Sequence, residues 1–105
     1  MSIRKEIIPE EGICKITFTL TKTLVDHPKE VALVGDFNDW DPQKNFMKKS
    51  QKGWFEDTIE LPLGKDYQFR YLIDKCNWEN DWQADAFAPT PYSETHNMVV
   101  ICNLP

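Results

Sequence analysis

The sequence predicts an all-β sandwich. Segments in which apolar and polar residues alternate recur along the chain, as in strands that turn one face to a core and the other to solvent. Turns rich in glycine and proline separate these segments at short intervals. No long stretch combines a 3.6-residue apolar period with the capping residues of a helix. Short strands, close turns and little helix together favour two packed sheets.

Alternation, and one turn that contains two aromatic residues, predict the strands in the first half of the chain. Ile13 to Thr23 alternates apolar residues with threonine and lysine, as a half-buried strand does. Val31 to Gly35 is a mostly apolar run that ends in a turn rich in Gly, Asn, Asp and Pro. Of the two aromatics in that turn, we expect Phe37 to point into the core and Trp40 to face outward. Asn45 to Ser50 is a short, weaker strand candidate.

The second half of the chain adds three more predicted strands. Trp54 to Leu61 alternates again, and Asp66 to Asp74 is the strongest strand, with its aromatics on one face and Arg70 on the other. Met98 to Cys102 closes the domain as a short apolar strand. Residues 75–96 form the long irregular segment, which at that length is expected to be functional or to hold a minor strand.

A chain of 105 residues has about the usual size of one domain. Residues 1–12, which include Pro9 and two adjacent acids, are predicted to be an N-terminal arm. The sandwich domain is predicted to cover residues 13–105.

Charge and composition argue against several classes of function. The formal net charge is −5 and no basic stripe is visible, so we expect no nucleic-acid partner. No apolar run approaches the ~18 residues of a membrane span, and residues 1–10 lack the apolar core of a signal peptide. Cys14, Cys76 and Cys102 are too widely spaced for a zinc site or a disulfide scaffold. We therefore expect the three cysteines to be reduced thiols. We also expect no metal, no membrane association and a cytoplasmic location.

Catalysis finds little support in the sequence. Turn acids could supply a carboxylate pair for glycoside hydrolysis, but acids in turns mostly accept local backbone hydrogen bonds. His27 and His96 are far apart, and no serine lies in a nucleophile-elbow setting. We expect a protein that is not an enzyme, with no catalytic residue and no cofactor. The turn acids considered are Asp36, Asp39, Asp41, Asp81 and Asp85.

Two loop tryptophans and one strand arginine indicate a surface for sugars. A sugar ring presents an apolar face of C–H bonds and a rim of hydroxyls, so its site needs flat aromatics with polar groups at their edges. Trp40 and Trp78 could supply the platforms, and Arg70 a polar edge. Each indole also has a structural explanation: Trp40 could fold back on the sheet edge, and Trp78 could anchor its long loop.

The same residues resemble carbohydrate-binding module family 48. That family includes the glycogen-binding domain of AMP-activated protein kinase β subunits and the N-terminal modules of isoamylases and branching enzymes. The resemblance covers about Lys15 to Cys102 and is nearest to the isoamylase and branching-enzyme branch. It is carried by VGDFNDWDP at 34–42, YQFRYLID at 67–74, Trp78, and HNMVV at 96–100.

The resemblance implies an immunoglobulin-like β-sandwich of about seven strands that binds α-1,4-glucan, such as glycogen or starch, without catalysis. Trp40 and Trp78 match the family's two stacking tryptophans, and Arg70 matches its basic strand residue. Thr95 and Asn97 match the polar residues that contact sugar hydroxyls. The alternative is a protein-interaction or regulatory domain of the same fold that has lost sugar binding and meets a protein partner instead.

Overall fold

The alternating segments form two antiparallel sheets in a computed structural model, which describes residues 2–21, 27–80, 86–89 and 96–102. In chain order the described strands are β1 (Ser2–Ile8), β2 (Ile13–Leu20), β3 (Val31–Gly35), β4 (Lys48–Lys49), β5 (Phe55–Pro62), β6 (Lys65–Ile73), β7 (Asn77–Glu79), β8 (Ala86–Pro89) and β9 (His96–Cys102). One sheet has the strand order β1-β2-β5-β4, and the other has the order β3-β6-β9-β8 with β7 also paired to β6.

The prediction of an all-β sandwich is confirmed. Within the described ranges the helical segments are two single 3-10 turns, Pro9–Glu11 and Asp36–Asn38. No helix in this part of the chain is long and apolar enough to cross a bilayer. Residues 2–8 of the predicted arm form β1, which pairs with β2 along its whole length. The long segment after Asp74 contributes β7 and β8.

The core lies between the inner faces of the two sheets. Phe18 from the first sheet meets Phe69 and Tyr71 from the second edge to face, with ring centroids 5.1 and 6.5 Å apart. Phe37 points toward this cluster as expected, with its ring centroid 6.4 Å from that of Phe69. The buried core residues are Cys14, Ile16, Phe18, Leu20, Val31, Leu33, Met47, Phe55, Leu61, Tyr67, Phe69, Tyr71, Ile73 and Cys102.

An acid interrupts the apolar inner face of the first sheet. Asp57 pairs with the buried Phe18, so the two side chains share the core-facing side. Burial raises the pKa of Asp57, although the Thr58 N–H donates to its Oδ1 at 3.0 Å and Lys48 lies nearby. The folded protein therefore binds the Asp57 proton more tightly than the unfolded chain does.

The position of β6 determines which residues meet on the outer face of the second sheet. One edge of β6 pairs with β3, and the other edge pairs with β9 along Lys65–Phe69 and with β7 along Tyr71–Ile73. β7 and β9 therefore lie end to end beside the same strand. This arrangement brings Trp78 of β7 directly beside Leu72.

Candidate functional site

The outer face of the second sheet has an apolar centre. Ala32 pairs with Leu72 and Val34 pairs with Arg70, so these four side chains project from one face. Ala32, Val34 and Leu72 are buried although they point away from the main core. We call these three residues the apolar floor. Trp40 packs against the floor and covers part of it.

Trp40 is held on the apolar floor by two hydrogen bonds. Its Nε1–H donates to Asp36 Oδ1 at 2.9 Å, and its backbone N–H donates to the Gly35 carbonyl at 2.9 Å. Its φ is +57°, a left-handed conformation that a bulky residue rarely adopts. Such conformations persist only where the surroundings impose them, and they concentrate at functional sites. The indole is thus on the outer face as expected, but half-buried rather than free in solvent.

Asp36 connects the aromatic turn to the neighbouring strand. Its Oδ1 accepts from Trp40, and its Oδ2 accepts from the backbone N–H of Gln68 at 2.7 Å. The chain can approach β6 this closely because Gly35 has no side chain, since a Cβ there would lie 2.7 Å from the Cβ of Phe69. One carboxylate therefore fixes both the turn and the indole.

Asn38 organises the same turn from inside. It is buried, and its Oδ1 accepts from the Gly35 N–H at 3.1 Å. Its Nδ2 donates to the Leu33 carbonyl and to Asn45 Oδ1, both at 2.8 Å. The side chain thus ties the end of β3 to the segment that follows the turn. A buried amide with its polar atoms bonded in this way gives the turn a single conformation.

Trp78 and Arg70 form a stacked pair beside the apolar floor. Trp78 is 45% exposed, and the guanidinium carbon of Arg70 lies 5.5 Å from its ring centroid, within the range of a cation–π contact. Burial lowers the pKa of the Arg70 guanidinium. Among the residues that the structure describes, none accepts a hydrogen bond from its buried Nε.

The turn that leads to Trp78 is also anchored by a carboxylate. Asp74 Oδ1 accepts from the backbone N–H groups of Lys29 and Glu30 at 2.7 and 2.9 Å, and the Asp74 N–H donates to the Glu30 carbonyl at 2.9 Å. Asp74 and Lys75 have φ values of +50° and +65°. Both tryptophans are therefore carried by turns that an acid ties to a distant segment.

The structure brings three of the five predicted site residues together. Trp40, Arg70 and Trp78 share the outer face of the second sheet, around the apolar floor. Asn97 belongs to β9, where its backbone pairs with Ala88, and its side chain lies outside the description. Thr95 lies outside the described residues. Sugar binding by these five residues stays a prediction.

The sequence reasoning missed the residues that position the indoles. Asp41 behaves as a turn acid should, because its Oδ1 accepts from the Gln43 N–H two residues later. Asp36 and Asp74 instead bond groups 32 and 45 residues away. The sequence predicted Asp36 as a turn acid and Asp74 as the end of a strand, and the bonding partners of both depend on strand register. Asp81 and Asp85 lie outside the described residues.

Comparison with known proteins matches this chain to a family. The family model of carbohydrate-binding module 48, described as the isoamylase N-terminal domain, matches residues 23–88, which is more than half of the chain. The matched range contains Trp40, Arg70 and Trp78. No curated protein matches the chain.

Proposed function

Because the chain belongs to the carbohydrate-binding module 48 family, we propose that it is a non-catalytic module that binds α-1,4-glucan, such as glycogen or starch, on the outer face of its second sheet. The observation that supports this most directly is the exposed indole of Trp78, with the guanidinium of Arg70 stacked on it and Trp40 seated on the adjoining floor.

The chemistry of this face suits a sugar ring. An indole offers a flat apolar surface to the C–H face of a glucose unit, and it loses little conformational entropy because its neighbours already hold it. Arg70 adds charged donors beside the ring of Trp78. Thr95 and Asn97 are proposed to add hydroxyl contacts.

The expected affinity is weak. Covering about 80–100 Å² of an indole contributes on the order of 2–2.5 kcal/mol at ~25 cal/mol/Å². Trp40 contributes less, because part of its surface is already covered by the floor. After the entropic cost of association, a short oligosaccharide should bind with a Kd of roughly tens of micromolar to millimolar. A polymer offers many sites and would be held better through avidity.

We place this activity in the cytosol. The thiols of Cys14 and Cys102 are buried, and the thiol of Cys76 is exposed. An exposed thiol that is not in a disulfide is typical of a reducing compartment.

Titration with maltoheptaose, followed by tryptophan fluorescence and calorimetry, tests the proposal. We expect saturable binding by the wild-type chain, its loss in Trp78→Ala, and a smaller weakening in Trp40→Ala. Trp54→Ala is the matched control, because Trp54 is also exposed, at 38%, but it leads into β5 of the other sheet. Its binding should equal that of the wild type.

Retention on insoluble starch or glycogen separates this proposal from a protein-interaction domain that has lost sugar binding. A folded wild-type chain that neither binds ~10 mM maltoheptaose nor is retained on the polymers would contradict glucan binding, given the expected affinity. Equal losses in Trp54→Ala and Trp78→Ala would contradict the location of the site.

A further inference from the structure

We propose that the outer face carries a second carbohydrate subsite at Phe46, which binds sugar units of the same glucan chain beyond those on Trp78. The subsite is the cavity lined by Phe46, Ala32 and Leu72, and we call it the Phe46 groove. This inference rests on the proposed function and adds to it a selectivity for long oligosaccharides over short ones.

Four residues, each paired with the next one on a neighbouring strand, form a row that connects the two ends of this surface. Trp78 pairs with Leu72, Leu72 pairs with Ala32, and Ala32 forms a bridge with Phe46. Neighbouring strands lie ~4.8 Å apart, so the row places the backbones of Trp78 and Phe46 about 14 Å from each other. Both end residues are aromatic and 45% exposed, and the two residues between them are buried. The row therefore has an exposed aromatic side chain at each end, and the two residues between them set the separation.

The orientation of Phe46 follows from its neighbour. Met47 is buried in the main core, and its backbone N–H donates to the Val31 carbonyl at 2.8 Å. Because successive side chains of an extended segment point to opposite sides, Phe46 projects from the outer face. It lines the groove together with Ala32, with which it forms a β-bridge.

The Phe46 groove has the size and the polarity of a small-ligand site. Its volume is about 370 Å³, within the range of roughly 300–1,000 Å³ that is usual for such sites. Four of its seven lining residues are apolar: Ala32, Pro42, Phe46 and Leu72. Its rim carries Glu30 and Lys75, whose Oε1 and Nζ are 3.7 Å apart. The lining residues are Glu30, Ala32, Pro42, Gln43, Phe46, Leu72 and Lys75.

The rim and the base together favour a sugar over a purely apolar ligand. Lys75 is 78% exposed, and an ion pair at the surface is weak, so its donors and the carboxylate of Glu30 can bond hydroxyls at little loss. The groove also shares Ala32 and Leu72 with the seat of Trp40, and Lys75 belongs to the turn that carries Trp78. A chain bound at Trp78 can therefore continue along the same outer face toward the groove.

The test measures the dependence of affinity on chain length. Calorimetric titrations with maltotriose and maltoheptaose are made on the wild type, Phe46→Ala and Phe46→Tyr, with Trp54→Ala as the control for loss of an exposed aromatic. A trisaccharide is too short to place one ring on each end of the row. Phe46→Ala should weaken maltoheptaose binding roughly five- to tenfold, the effect of leaving about 40–55 Å² of ring surface uncovered, and leave maltotriose binding unchanged. Phe46→Tyr should restore maltoheptaose binding.

Each other outcome identifies what is wrong. If maltoheptaose binds Phe46→Ala as tightly as the wild type, the groove is not a subsite, and the proposed function stands. If both oligosaccharides weaken equally in Phe46→Ala, the residue belongs to the Trp78 site or supports the fold, and a thermal melt of the variant separates these two cases; either overturns the inference. If the wild type binds neither oligosaccharide, the proposed function fails, and the groove falls with it.

Discussion

Replacing Asp36 with asparagine should loosen the turn that holds Trp40 while the sandwich stays folded. The carboxylate accepts from two donors at once, the indole Nε1–H of Trp40 at 2.9 Å and the backbone N–H of Gln68 at 2.7 Å. An asparagine side chain has the same shape but only one oxygen. Its Nδ2 would therefore face one of the two donors, and one hydrogen bond must be lost.

The size of the effect follows from the kind of bond that is removed. A hydrogen bond to a charged group contributes about 1.5–3 kcal/mol, and the exposure of Asp36 argues for the lower end. A loss of about 1.5 kcal/mol should lower the Tm by roughly 6–12 °C in a domain of this size. Because Trp40 has a φ of +57°, weakening one of its restraints should also let the turn relax.

The assay combines thermal denaturation with NMR of the indole N–H signals. In Asp36→Asn either the Trp40 Nε1–H or the Gln68 N–H, whichever loses its acceptor, should exchange faster with solvent, and maltoheptaose should bind more weakly. Asp39→Asn is the matched control, because it removes the same charge from the same turn, and asparagine tolerates the left-handed φ of +57° at that position. Its stability should stay within about 0.5 kcal/mol of the wild type.

The reasoning about the aromatic turn would be refuted by one clear result. If Asp36→Asn keeps the Tm, the slow exchange of the Trp40 indole and the affinity of the wild type, then the carboxylate does not hold the indole. If Asp39→Asn is destabilised as much as Asp36→Asn, the effect is general electrostatics and not hydrogen bonding.

Three further predictions concern the frame of the site. Gly35→Ala should cost about 3 kcal/mol in a denaturant titration, because a Cβ there collides with backbone atoms of β6, including the carbonyl oxygen of Gln68. Asp57→Asn should stabilise the protein at neutral pH. Because the folded-state pKa of Asp57 is raised, its carboxyl adds a stabilising contribution that is complete below pH 3.8 and is lost as the pH rises through the folded pKa. The variant should lack this pH dependence. Tyr67→Phe should lose about 1 kcal/mol, since the hydroxyl donates to the Pro62 carbonyl at 2.8 Å.

The controls for these predictions come from the same chain. Gly53→Ala meets no atom within 4 Å and should lose only about 1 kcal/mol, through its left-handed φ of +83°. Equal losses at Gly35 and Gly53 would argue against the collision with β6. A stability difference between wild type and Asp57→Asn that does not change from pH 3 to pH 7 would contradict the assigned burial of that carboxyl.

The sandwich could be predicted from the sequence because alternation is a local property. The alternation along Ile13 to Thr23 and Trp54 to Leu61 predicted half-buried strands where β2 and β5 lie, and the aromatics of β6 share one face as expected. The strand in the predicted arm was missed, because Ile3 and Ile7 are only partly buried at the edge of the sheet and their spacing is not a strict alternation. A minor strand was one of the two expectations for the segment after Asp74, but the positions of β7 and β8 were not predicted, because each has four residues or fewer.

The aromatic residues of the candidate site could be predicted from the sequence, but the hydrogen bonds that hold them in place could not. Trp40 and Trp78 were noticeable as large residues in polar turns. The bonds that hold them come from residues remote in sequence, such as Asp36 to Gln68, and depend on the register between strands. Phe46 was considered only as part of a weak strand, because its position beside Ala32 is fixed by a single long-range bridge.

The unequal burial of the three cysteines provides a reporter for ligand occupancy without any change to the chain. Cys14 and Cys102 lie in the core and have no exposed surface. Cys76, which precedes Trp78 by two residues, is exposed. A maleimide dye should therefore attach at that one thiol under native conditions. The attached dye would lie beside the indole, where its emission can report when a ligand arrives.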